Sequence, residues 1–496
     1  MQETRGGQTL TQSYGYDNRG LITSYTDANG NTFGYQYDGN GNLTQITYPN
    51  NQTVTYTYDD DNRLHTVTDW ASRVTTYTYD DNGRPTQIAH PNGTTTNLTY
   101  NNAGELSATE EVLPNTNIFF GQNLNRYADS KVNTVEAVAY TAVQPDQSVA
   151  MTYDSDNRVA TWQSSALSWD NAGNMTSGPA PSLELSANTP STFANYTYNA
   201  RGELAAVGTV SYTYDPSGNR MSLVDGTKTT TFAVSPVAAV GSLDQMLART
   251  VTVGTTTTPT YYVYGLGLLY EINSSGTPSY YHFDHQGNTV AMTDNAGALI
   301  GRVQYAPNGQ ITQRDTAITT PFLWQGQWGV MCDRGDNNNG LYFLRTRYYH
   351  PAMASFIQQD SILGDITDPQ SLNRFAYCQA DPINFYDPEG LLATGIGESA
   401  VDTINAILHP FLTAQNAWYA LTHLDEVSQS IADFAGAMDW NSDTSAYERG
   451  RMSGNIIGNI FIGGLSGRAV VGVGKWARNA SKAARNANKI NKAANA

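Results

Sequence analysis

Apolar and polar positions alternate with a period of two along the first hundred residues. In one unit Val54, Tyr56 and Tyr58 interleave with Thr53, Thr55 and Thr57, the pattern of a strand with one buried face and one wetted face. Residues 59–62 then turn the chain, and residues 64–67 return as a second strand. The unit recurs: Tyr16-Asp17, Tyr37-Asp38, Tyr58-Asp59, Tyr79-Asp80 and Tyr100-Asn101 are spaced at steps of 21, each followed by a turn such as Gly39-Asn40-Gly41. Twenty-one residues accommodate two strands and two turns, so the prediction is one hairpin per repeat. A lone hairpin cannot bury its apolar face, and successive hairpins must therefore stack. The tyrosine is expected to pack on the neighbouring repeat and the aspartate to cap the amides of the turn that follows it.

Beyond residue 105 the spacing loosens. Tyr153-Asp154, Trp169-Asp170, Tyr198-Asn199 and Tyr214-Asp215 keep the pair at uneven steps, which predicts loops between hairpins, notably over 178–190. The threonine run 255–258 reads as exposed strand or loop. The pattern resumes at Tyr262-Val263-Tyr264-Gly265 and Tyr281-His282-Phe283-Asp284, and residues 1–391 read as one β object.

After residue 391 the period changes. Trp418, Leu421, Leu424, Val427, Ile431 and Phe434 fall on one helical face within 398–438. Gly450, Gly454 and Gly458 then recur at steps of four leading into a second helical stretch, 451–474, interrupted by Asn459 and Arg468. A compact helical hairpin is the reading, with a membrane span as its alternative. The tail 475–496 holds Lys475, Arg478, Lys482, Arg485, Lys489 and Lys492 and no acid. A membrane surface, nucleic acid or the interior of the chain's own β part suits that charge, as does a plain solvated helix, so residues 450–496 are the candidates for membrane contact.

Composition agrees with strands and tight turns: 32 Tyr, 44 Gly and 14% charged residues in 496. The net charge of −17 argues against nucleic acid as the partner of the β part. Two cysteines, Cys332 and Cys378, exclude a disulfide framework and have no companions at zinc-ligand spacing, leaving two buried thiols or one bridge. No metal and no cofactor are expected. No apolar segment follows Met1, so no signal peptide is visible, and a repeat already in phase at residue 16 suggests chain upstream.

The change of period falls at Pro382-Ile383-Asn384-Phe385-Tyr386-Asp387-Pro388-Glu389-Gly390-Leu391. Upstream, from Asn339, stand Arg345-Thr346-Arg347-Tyr348-Tyr349, then Phe356 with Asp360 four residues on, then Asn373-Arg374-Phe375-Ala376-Tyr377. This ordered set resembles the core domain of Rhs and YD-repeat proteins, similar to that of the C component of Tc toxins. The resemblance implies repeats wound into a hollow β shell over 1–338, a core autoprotease domain over 339–391, and a helical pre-toxin or cargo segment over 392–496. It implies scission between Leu391 and Leu392 within a motif set by Pro382, Pro388 and Gly390. It also implies a chain secreted or delivered by a bacterial export machine, as part of a secretion system or toxin complex, with its own C-terminal segment as the shell's partner.

Two carboxylates sharing a proton can cut a peptide bond, one activating water and the other polarising the carbonyl. Asp360 and Asp387 are the candidates, with Arg347 as orienting or oxyanion-holding cation. The alternative is a buried Arg347–Asp360 ion pair with Asp387 capping a turn. His350 stands where the family pattern has Asp, and Ala354-Ser355-Phe356 where it has G-R-F. Asp381 is expected to be a turn residue, and His282, Asp284 and His285 to serve core or turn rather than a metal. The competing function is a teneurin-like adhesion protein that stays uncut.

Overall fold

Each repeat folds as written because its turn is chemically determined. In the turn that starts at Asp59, the Asn62 amide donates to the Asp59 carbonyl (3.0 Å) and the Asp59 amide to the Arg63 carbonyl (2.9 Å). The Asp59 carboxylate accepts the amides of Asp61 (3.0 Å) and Arg63 (2.9 Å). The fourth turn position is left-handed, φ 59° at Asn62 and 79° at Gly83 in the next repeat, so Asn and Gly occupy it. Asp17, Asp38 and Asp80 repeat this cap.

The computed structural model describes residues 2–5, 8–128, 130–138, 149–183, 192–241, 243–333, 340–362, 369–391 and 394–395, all within the compact unit Met1–Val401. A twelve-stranded antiparallel sheet runs from Ser13–Tyr16 to Val132–Val138, every strand beside its neighbour in sequence. A three-stranded sheet over Met151–Tyr153, Val159–Trp162 and Ser165–Ala166 follows, then a fourteen-stranded antiparallel sheet from Ser168–Trp169 to Ile311–Arg314.

The tyrosine of each pair does more than pack. Tyr37, Tyr58, Tyr79 and Tyr100 donate their hydroxyls to the carbonyls of Ile22 (2.8 Å), Leu43 (2.9 Å), Leu64 (2.6 Å) and Pro85 (2.9 Å), each in the preceding repeat. Arg63 and Arg84 lie over the rings of Tyr79 and Tyr100, 4.8 and 4.4 Å from their centres. Adjacent repeats are therefore stitched by a polar contact besides the strand ladder, joined at Tyr79 and Tyr100 by a cation–π contact.

The opposite rim of the same sheet, turning at Asp27, Tyr48, Asp69 and His90, is buried against the fourteen-stranded sheet. Contacts advance in step: Gln12 with Asp215 (2.8 Å), Tyr35 with Ser235 (2.8 Å), Tyr48 with the Tyr262 carbonyl (2.7 Å), Asn92 with Thr293 (2.9 Å). The stacked hairpins thus form two long sheets that meet along this rim, whose buried residues need a partner. Residues Gly178 and Pro179, expected in a loop, close the strand Met175–Pro179 instead, paired with Phe193–Tyr198. The threonines from Thr256 are exposed strand. The helices expected over 398–438 and 451–496 lie outside the described residues.

Downstream, Met331–Cys332, Tyr342–Leu344, Arg347–His350 and Ser355–Phe356 form a four-stranded antiparallel meander. Trp324, Tyr342, Tyr349, Phe356 and Tyr377 pack ring on ring beneath it.

Candidate active site

Leu344 pairs with Arg347, so Arg345 and Thr346 form a two-residue hairpin loop, with Arg345 left-handed at φ 59°. These loop residues and the first residue of the returning strand grip three consecutive carbonyls of the chain ahead of the expected cut. Arg345 Nη1 donates to the Pro388 carbonyl (2.7 Å), Thr346 Oγ1 to those of Glu389 (2.5 Å) and Gly390 (3.1 Å), and Arg347 Nε also to that of Gly390. Gly390 is required here: its φ is +69°, and a Cβ would stand 2.9 Å from the Leu344 carbonyl oxygen.

Arg347 is buried, its guanidinium 3.6 Å from the centre of the Phe356 ring. Its Nη1 donates to the Arg374 carbonyl (3.0 Å), and its Nη2 lies 2.8 Å from Asp360 Oδ2 and 3.6 Å from Asp387 Oδ2. The structure therefore gathers all three proposed catalytic residues, separated by up to forty positions in sequence, around one guanidinium. Asp360 also accepts the Ile362 amide (2.8 Å). Asp387 Oδ1 accepts the Leu391 amide (3.0 Å), the residue whose carbonyl carbon would be attacked. Leu392 lies outside the described residues.

Burial raises both carboxyls above the usual range, and Arg347 pulls each back; for Asp387 the nearby Asp360 charge adds a further rise. Burial in turn lowers Arg347, against the pull of the two carboxylates. One cation between two buried carboxylates favours a site holding a single additional proton.

Several contributors had no role assigned from the sequence. The Asp387 amide donates to Tyr377 Oη (3.4 Å), which also accepts from Gln325 Nε2 (2.5 Å). Cys378, Gln379 and Ala380, directly after Tyr377, are all left-handed, with φ of 49°, 54° and 64°, a strained run that side-chain packing must hold in place. Arg374 supplies its carbonyl to Arg347 and donates Nη2 to the Asp360 carbonyl. Both Arg374 and Tyr377 belong to the Asn-Arg-Phe-Ala-Tyr run, whose presence was the available signal. Pro382 offers its carbonyl to Gln286 Nε2.

The remaining candidates sit elsewhere. Asp381 accepts from Asn384 Nδ2 (2.9 Å), a turn role. His350 is buried with Nε2 3.2 Å from the Pro179 carbonyl. His282 lies between Glu111 and Thr293, 2.8 Å from each, Asp284 caps its own turn, and His285 meets Gln122 at 2.9 Å. No group of His, Cys, Asp and Glu suited to a metal occurs among the described residues. Cys332 and Cys378 are buried free thiols.

The RHS Repeat family model matches residues 16–53, 37–74, 58–95 and 79–118. Residues 16–118 thus carry RHS repeats. Among curated relatives, the tRNA3(Ser)-specific nuclease WapA of Bacillus spizizenii is 26% identical over 206 residues, covering 39% of this chain and 8% of its own length. The toxin protein Tse5 of Pseudomonas aeruginosa is 31% identical over 117 residues, 23% of this chain and 8% of its own. The chain thus spans less than a tenth of either relative. Its backbone overlays the crystal structure of TcdB2-TccC3 with a TM-score of 0.48 and 17% identity, covering 77% of this chain and 22% of that one.

Proposed function

We propose that this RHS-repeat chain is part of a toxin-enclosing shell whose core cuts the Leu391–Leu392 bond once, in cis, and frees residues 392–496 for delivery into a target cell by an export machine or toxin complex. In this reading the repeats of 1–338 wind round a hollow that holds the cargo, and 339–391 is the protease. The nuclease and toxin names of its relatives support a toxin-related role. The observation that carries the proposal is the convergence of Asp360, Asp387 and the Gly390 carbonyl on Arg347.

The chemistry uses one proton on the carboxyl pair. The ionised member takes a proton from water as the oxygen adds to the Leu391 carbonyl carbon, and the protonated member donates to the carbonyl oxygen. The tetrahedral adduct then breaks its C–N bond, and the Leu392 nitrogen leaves with a proton as the Leu391 carboxylate forms. Arg347 balances the negative charge that accumulates beside it, and the grip on residues 388–390 fixes the bond in place.

Asp387→Asn keeps the shape but can neither activate water nor pass the proton, and Asp360→Asn likewise. Each should leave the chain whole, while the unmodified chain is cut at a rate independent of its concentration. Full-yield scission of the Asp387→Asn protein would remove the assignment. A second reading, an uncut teneurin-like adhesion protein, draws support from the same contacts: the 2.8 Å ion pair and the Leu391 amide cap also describe a static turn. A wild-type chain that stays whole would favour it.

A further inference from the structure

The two carboxylates are not held by the core alone. The loop that carries Asp387 is tied to the outer strand of the twelve-stranded sheet: Asn384 Oδ1 accepts the Val132 amide at 2.7 Å, and Asn384 Nδ2 donates to both Asp381 oxygens, at 2.9 and 3.1 Å. Asp381 in turn donates its amide to the Cys378 carbonyl (2.9 Å), inside the left-handed run after Tyr377. The segment that carries Asp360 is tied instead to the fourteen-stranded sheet. Gln358 bridges to Asn174, its Nε2 donates to the Gly202 carbonyl (2.8 Å), and its Oε1 accepts the amide of Tyr348, next to Arg347 (3.1 Å). Neither amide side chain bonds to Asp360, Asp387 or Arg347, yet each links one arm of the site to a different sheet.

Resting on the autoproteolysis reading, we propose that Asn384 and Gln358 are positioning residues that make scission conditional on the repeat sheets having assembled against the core. Contacts 252 and 156 positions apart in sequence close only after the intervening strands are in place. A chain whose repeats are still unpaired has Arg347 near Asp360 by local folding, but lacks the strand edge that sets the Asp387 loop. Scission then reports a finished enclosure, and the C-terminal segment is not set free ahead of it.

The test follows the full chain during cell-free synthesis and measures conversion of the whole product into its two pieces. Asn384→Ala and Val132→Pro, the latter removing the amide hydrogen donated to Asn384 together with the buried valine side chain, should each slow scission at least tenfold. Proline is tolerated at the start of an outer strand. The double variant should be no slower than the slower single, because both changes break one link. Gln358→Ala, acting through the other sheet, should slow scission at least tenfold and add to the Asn384 effect. Thermal midpoints of the same changes in the Asp387→Asn background should stay within a few degrees. Wild-type rates for Val132→Pro and Gln358→Ala would overturn the inference, as would slowing matched by an equal loss of folded protein. Scission of the Asp387→Asn chain would instead sink the protease reading on which it rests.

Discussion

His90 sits on the buried rim where the two long sheets meet, edge-on to Tyr280 and to His282, with ring centres 6.0 and 5.7 Å away. Neither ring nitrogen has a hydrogen-bond partner among the described residues. Burial first, and the His282 ring second, lower it from 6.5 to about 3. The folded chain therefore holds His90 neutral where the unfolded chain takes up a proton, and stability is full above pH 6.5 and falls as pH drops toward 3. The slope is ~1.4 kcal/mol per pH unit, and the loss between pH 7 and pH 5 is ~2 kcal/mol from this residue alone. Asp215 and Asp284, both raised to about 6 chiefly by burial, act in the opposite direction. The wild-type curve by itself is thus mixed, and a difference is needed. His90→Phe supplies it, since Tyr48 and Leu113 occupy the corresponding turn position ahead of Pro49 and Pro114 and show that an apolar or aromatic side chain fits there. Urea midpoints of the two proteins, both carrying Asp387→Asn so that one species is present, should be compared from pH 7 to pH 5. The variant should equal or exceed the parent at pH 7, where two unpartnered polar atoms are removed, and should gain ~2 kcal/mol on it by pH 5. Parallel curves would mean that His90 carries no proton-linked penalty in the folded chain.

Three further outcomes follow from single contacts. Tyr58→Phe loses the 2.9 Å bond to the Leu43 carbonyl and should lower stability by ~1 kcal/mol in thermal unfolding, as should the corresponding change at Tyr79. Arg347→Ala leaves two buried carboxylates without their cation and should abolish scission and cost ~3–5 kcal/mol at pH 8. Because both carboxyls then protonate more readily, that loss should shrink on acidification to pH 5, as urea unfolding at the two values will report. Gly390→Ala, with φ +69° and a Cβ 2.9 Å from the Leu344 carbonyl, should slow scission at least tenfold by displacing the gripped segment, measured on a gel time course.

The hairpins were legible in the sequence because everything that makes them is local. Asp59 caps amides two and four positions on, and the left-handed position at Asn62 or Gly83 announces itself by residue type. The division into two sheets was not, since it depends on pairs such as Tyr48 with Tyr262 and Asn92 with Thr293, some two hundred residues apart and without a period to reveal them. Gly178 and Pro179 were misread for a related reason: both residue types signal loops, but here they finish a strand whose partner lies beyond the insertion. At the site, Arg347, Asp360 and Asp387 were found through the motif resemblance, and the structure brings them together. The parts missed act through the main chain. The Arg374 carbonyl that holds Arg347, and the carbonyls of residues 388–390 held by Arg345 and Thr346, leave no mark on residue identity. Asn384 carried no signal for its link to Val132, which only the assembled sheet creates.

Asp360, Asp387 and Arg347 are proposed to cut this chain at one bond. Intact-mass measurement of the freshly purified protein, with N-terminal sequencing of the smaller species after denaturation, tests it most directly. Two pieces that sum to the 53.9 kDa chain plus one water are expected, the smaller beginning at Leu392, whether or not they separate before denaturant is added. A single stable chain of 53.9 kDa, or a smaller piece beginning at any other residue, would contradict it.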